Sequence, residues 1–146
     1  MEQSELDLEV WERAVGKIVS SVARLEGELL LKYETHDALS RSMYFKVDKT
    51  LEKRFERVKS LYNAECGITS CSDKLFTQFQ GLVELRNLVA HNPVYYEDAD
   101  KGFRITNGQS KTKYISLNDI LKLAENVFSA CLQITILFRV WAKNKS

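Results

Sequence analysis

Apolar residues near the amino end recur at alternating steps of four and three, at Trp11, Val15, Ile18, Val22, Leu25 and Leu29. That spacing draws one stripe on a helix and predicts a long amphipathic element over about 6–33. Ser4 with Asp7 three residues on reads as its capping box. The polar, irregular run 34–42 reads as a connection. Val47, Leu51, Phe55, Val58 and Tyr62 then share one face of a second helix, and Gly67 is placed to end it because glycine accepts a positive φ. Ser70 and Asp73 suggest a capping box for a third helix, which must stop by Asn92 because Pro93 restricts the residue before it.

The last helix is expected from Ser116, with Asp119 at the complementary capping position, to about Trp141. Its second half, VFSACLQITILFRVW, is apolar nearly all the way round and calls for cover on more than one side. Between the last two helices, Phe103, Ile105 and Thr106 precede Asn107-Gly108, and a second polar and aromatic run reaches Ile115. Asn-Gly suits a two-residue type I′ turn, so a small hairpin is expected, leaning on the helices because two strands alone are marginal. The expected architecture is all-α, an up-and-down bundle of four main helices with a hairpin insertion over about 94–115, in one domain covering 1–146.

Composition narrows the function classes. A chain of 146 residues supports one hydrophobic core. Its 21 Lys and Arg nearly cancel its 20 Asp and Glu, so any polyanion must find a local basic patch. The cysteines, Cys66, Cys71 and Cys131, fit no zinc spacing, and the two histidines cannot complete one; no metal or other cofactor is expected. Sparse cysteine suits a reducing cytoplasm. The acidic amino end, and charges that interrupt each long apolar run, predict neither export nor a membrane span.

One residue breaks the third helix's pattern. Leu75, Phe79, Leu82, Leu85 and Val89, flanked by Phe76, Val83 and Ala90, form a broad apolar arc, and Arg86 falls near its middle. A guanidinium there costs several kcal/mol unless it is paired or reaches a polar cavity. It could snorkel past the helix end or pair with a glutamate such as Glu26 or Glu28. Asn87 and His91 stand four apart on one flank, and Arg86 adjoins Asn87, so its long side chain can swing toward the imidazole. A histidine in a last helical turn is also favoured by the helix dipole alone. Together the three types suit phosphodiester cleavage in RNA: histidine moves protons near neutral pH, and arginine stabilises charge growing on phosphoryl oxygens. No carboxylate cluster accompanies them in the sequence, so a two-metal mechanism has no obvious ligands.

The run ELRNLVAHN, with Arg86-Asn87-Leu88-Val89-Ala90-His91, resembles the arginine, four to six residues, histidine motif of the HEPN superfamily, and the plan of long helices is similar to those domains. The resemblance implies a metal-independent endoribonuclease of a toxin and antitoxin pair or an antiviral system, acting as a homodimer with a composite site. Arg86 and His91 would be the catalytic pair, Asn87 the supporting polar residue, RNA the substrate, and a cognate antitoxin or regulatory protein a further partner. The hairpin region departs from the simplest helical form. Some relatives of this kind lack nuclease activity, so a non-catalytic helical module that binds a partner protein or nucleotide is the alternative.

Tyr95 and Tyr96 are placed either to stack a base or, as aromatic pairs in short connections commonly do, to pin the chain by packing. Lys101, Arg104, Lys111 and Lys113 make the hairpin basic, which serves strand-edge protection or guides a phosphate backbone.

Overall fold

The computed structural model describes residues 2–91, 94–98, 102–106 and 112–144; the side chains of His91, Tyr95 and Lys113 lie outside that description. The helices are α1 (Gln3–Thr35), α2 (Leu51–Cys66), α3 (Ser70–His91) and α4 (Leu117–Asn144). The strands are β1 (Val94–Asp98), β2 (Gly102–Thr106) and β3 (Thr112–Ile115). They form a helical bundle with a small antiparallel sheet, ordered β1-β2-β3, before the last helix.

The four–three stripe is the core face of α1: Ile18, Val22, Leu25 and Leu29 are fully or almost fully buried. Along much of their length α1 and α4 pack together, joining these residues to Ile120, Val127, Ile134 and Phe138. Phe55 and Val58 of α2 and Phe76 and Phe79 of α3 close the same core, with the Phe55 and Phe79 rings 4.6 Å apart. Burying each such side chain contributes about 1.5–3 kcal/mol.

The capping signals shift at two of three sites. α1 starts after Glu2, which makes no side-chain cap, and Ser4 lies inside the helix. Asp7, read as its capping partner, is buried and accepts instead from Gln3 Nε2 and from the Tyr96 hydroxyl. At α3, Thr69 rather than Ser70 takes the capping position: Thr69 Oγ1 accepts from Ser72 N–H at 3.1 Å, and Ser72 Oγ accepts from Thr69 N–H at 3.3 Å. This reciprocal pair has capping-box logic one residue early. Ser116 behaves as expected, its Oγ accepting from Asp119 N–H at 3.1 Å. Gly67 ends α2 at φ +82 and ψ 159, a positive φ in the extended region that glycine alone tolerates, rather than the left-handed helical one.

Two further expectations change. Val47 does not belong to the second helix; it ends a π-helical turn, Met43–Val47, closed by Asp48 N–H donating to Met43 C=O at 2.8 Å, and it is exposed. The hairpin is part of a three-stranded sheet. β2 and β3 pair as foreseen, but Thr106 faces Thr112, so residues 107–111 rather than two residues separate the paired ends. Asn107-Gly108 itself lies outside the described residues. β1, a third strand that the expected two-stranded hairpin does not include, pairs with β2 from Val94↔Ile105 to Asp98↔Gly102. Phe103, Ile105 and Ile115 are buried, and the Phe103 ring stacks on Trp11 at 4.3 Å, so the sheet leans on the bundle as a marginal element must. Gly102 is required in that seam: at φ +77 an added Cβ would strike the Ile115 carbonyl oxygen and come within 2.9 Å of Ser116 Cα.

The apolar second half of α4 is covered on one side only in this chain. Phe138 and Trp141 are buried, whereas Leu132, Ile136 and Val140 are about half exposed. By length and composition α4 could cross a membrane, yet its inward face fills the core.

Candidate functional site

The charge that interrupts the apolar arc of α3 is accommodated by pairing. The Arg86 side chain is 16% exposed, and its Nη2 lies 3.6 Å from Glu26 Oε1 on α1. This is the glutamate pairing the sequence left open, with Glu26 chosen over Glu28, which binds Arg139 instead through Oε1 at 2.6 Å. Arg86 Nη1 donates to Asn87 Oδ1 at 2.8 Å, and Asn87 Nδ2 donates to Glu52 Oε1 on α2 at 3.0 Å. Glu26 also faces Arg54 of α2, whose Nη1 is 3.9 Å from Oε2. Three helices therefore meet in a polar cluster of alternating sign at the carboxyl-terminal end of α3.

Arg86 is held without using all its donors. The contact with Glu26 is longer than a hydrogen bond, so it is a charge pair rather than a fork, and Arg86 Nε is buried and makes no hydrogen bond among the described residues. A buried unsatisfied N–H costs about 1–3 kcal/mol, which the pairing with Glu26 and Asn87 offsets only in part. His91 is the last residue of α3, five positions beyond Arg86, as the sequence required.

The remaining predicted residues divide. Tyr96 is half-buried, donates to Asp7 Oδ2 at 3.1 Å and meets Phe103 edge-on at 5.3 Å, the packing role preferred for it. Arg104, half-buried on β2, stands opposite Tyr95 in the register, and Lys113 pairs with Ile105. Cys66 and Cys71 are exposed; burial pushes the Cys131 thiol up to about 12, so it stays protonated. Among the described residues, no three His, Cys, Asp or Glu side chains gather as a metal-binding group.

Sequence reasoning missed Glu52 and Arg54. Both sit on the polar face of α2, within KTLEKRFER, where nothing in spacing separates them from solvated neighbours. Two separate carboxylates lie beside the motif, Glu26 facing Arg86 and Glu52 accepting from Asn87. Comparison with protein-family models, with curated proteins and with solved structures finds no match to this chain.

Proposed function

We propose that this chain is a HEPN-like, metal-independent endoribonuclease that cleaves single-stranded RNA, with Arg86, Asn87 and His91 as its site. The observation that carries the reading is the state of Arg86: a guanidinium oriented by Asn87 and Glu26 yet with donors left over, on the same helix end as a histidine. In the proposed reaction the 2′-hydroxyl loses its proton and attacks the adjacent phosphorus. The O2′–P bond forms, the P–O5′ bond breaks, and the leaving oxygen takes a proton, giving a 2′,3′-cyclic phosphate and a 5′-hydroxyl. Arg86 steadies the charge on the phosphoryl oxygens, and His91 moves one of the two protons.

One histidine serves one transfer, and a two-fold dimer supplies a second. The half-exposed stripe of Leu132, Ile136 and Val140 on α4 supports an interface involving α3 and α4. Light scattering is expected to show a dimer at high micromolar protein, and a monomer there removes the composite site. The setting we propose is cytoplasmic, in a toxin and antitoxin or antiviral system, with a cognate regulatory protein. The Arg86–Glu26 pair favours a second reading, a non-catalytic module in which Arg86 is a structural or anchoring cation. Chelation separates the chemistry from metal-dependent cleavage: the rate on a labelled single-stranded RNA is expected to be unchanged in EDTA. Loss on chelation with recovery in Mn²⁺ or Mg²⁺ would contradict the metal-free mechanism.

A further inference from the structure

Two carboxylates outside the motif each take hold of one of its polar residues. Glu52 Oε1 accepts from Asn87 Nδ2 at 3.0 Å, and an amide that donates there must turn its Oδ1 the other way, toward Arg86 Nη1 at 2.8 Å. An unfixed amide can rotate and present its NH₂ to the guanidinium, donor against donor. Glu26 acts differently. It lies 3.6 Å from Arg86 and 3.9 Å from Arg54, beyond hydrogen-bond distance of either, so its hold is Coulombic and leaves N–H groups unspent. Arg54 is itself fixed: Nε donates to Asp48 C=O at 2.7 Å, Nη2 to Tyr44 C=O at 3.1 Å, and the guanidinium lies 3.7 Å over the Tyr44 ring. Glu26 is thus shared between an anchored cation and Arg86, and it neutralises Arg86 only in part.

We infer that Glu52 and Glu26 are positioning residues for Arg86, Glu52 acting through the Asn87 amide and Glu26 through its shared charge, so that the guanidinium is set for a phosphodiester oxygen before substrate arrives. This inference rests on the nuclease reading. It predicts opposite behaviour for neutral replacements of the two acids. Glu52 needs only an acceptor, so Glu52→Gln keeps function and Glu52→Ala does not; Glu26 needs its charge, so Glu26→Gln fails.

The test pairs cleavage kinetics with NMR of the arginine side chains in the full chain. Glu52→Ala and Glu26→Gln are expected to lower kcat by about 10-fold to 100-fold with KM changed far less, the usual consequence of a misaligned catalytic group, while Glu52→Gln stays close to wild type. In wild type and Glu52→Gln, slowed rotation should keep separate Nη–H signals for Arg86; in Glu52→Ala and Glu26→Gln they should coalesce. A rise in kcat on removing Glu26, equal losses for Glu52→Gln and Glu52→Ala, or coalescence without any change in kcat would overturn the positioning role. If wild type cleaves no RNA, the nuclease reading fails on its own, and the Arg86 signals still decide positioning: unchanged signals in all three variants would refute it.

Discussion

Replacing His91 by alanine is expected to slow RNA cleavage by about 10²–10⁴-fold, the usual worth of general acid–base catalysis. The fold should survive, because a residue at a helix end contributes little packing. Arg86→Ala should lose comparable rate, and Arg86→Lys should recover little of it, since a point charge cannot reproduce the planar fork of a guanidinium. Stability separates chemistry from architecture. Breaking a buried pair usually costs about 3–5 kcal/mol because a charge is orphaned. Here Glu26 keeps Arg54 at 3.9 Å after Arg86 is removed, so Arg86→Ala should cost nearer to 1 kcal/mol, the scale of a loose, partly solvated pair. Urea unfolding run beside the cleavage assay checks both halves. Normal cleavage by a folded His91→Ala variant, or a rate loss in Arg86→Ala that merely tracks its unfolded fraction, would contradict the proposed roles.

The largest effect on stability is expected at Asp48. Its buried carboxylate accepts from the Tyr33 hydroxyl at 2.7 Å and from Arg57 through Nη2 at 3.1 Å and through Nε. The Arg57 bonds hold the Asp48 carboxyl below the usual carboxylate range, against the opposing effect of burial, and the bond from Tyr33 lowers it further. Burial, followed by the Asp48 bond, pushes the Tyr33 phenol above its ordinary value. Asp48→Ala strands the fully buried Tyr33 hydroxyl, whereas Arg57, whose side chain is 39% exposed, can turn to water. The expected cost is about 3 kcal/mol, for lost charge-assisted bonds and an orphaned donor. Adding Tyr33→Phe to Asp48→Ala should return part of it, because the stranded hydroxyl is gone. The pH dependence follows from the lowered folded pKa. The stabilisation is present above the unfolded carboxylate's value, about 4, and is lost as pH falls from there through the folded value. Asp48→Asn should therefore flatten the acid limb of the stability profile. A urea unfolding free energy within about 0.5 kcal/mol of wild type for Asp48→Ala would contradict this account.

The parts of the fold legible in the sequence are those set by local periodicity. The stripe of α1 and the arc of α3 follow from spacing alone, and Ser116 caps α4 because its partner lies three residues away; which side of the nearly all-apolar α4 faces inward does not. What was missed depends on distant contacts. Asp7 looks like a capping acid but turns inward to a hydroxyl on β1, which no local signal can reveal. The π-helical turn is held from the next helix by Arg54, whose Nε donates to the Asp48 and Tyr44 carbonyls, and the run MYFKV carries no mark of it. β1 was hidden because paired tyrosines after Pro93 read equally as a pinned connection. At the candidate site, Arg86 was visible as a charge in an apolar arc, while Glu52 and Arg54 on the wet face of α2 acquire meaning only when α2 and α3 come together.

The central claim, attack by a ribose 2′-hydroxyl assisted by Arg86 and His91, is tested most directly by the products and by one substitution in the substrate. Purified protein is incubated in EDTA with a labelled single-stranded RNA and with the same RNA 2′-O-methylated at the cut nucleotide, and the new ends are identified by mass. The account predicts a 2′,3′-cyclic phosphate and a 5′-hydroxyl from the unmodified RNA, with no cut at the methylated position. Cleavage of both RNAs at equal rates, or a new 3′-hydroxyl end, would contradict it.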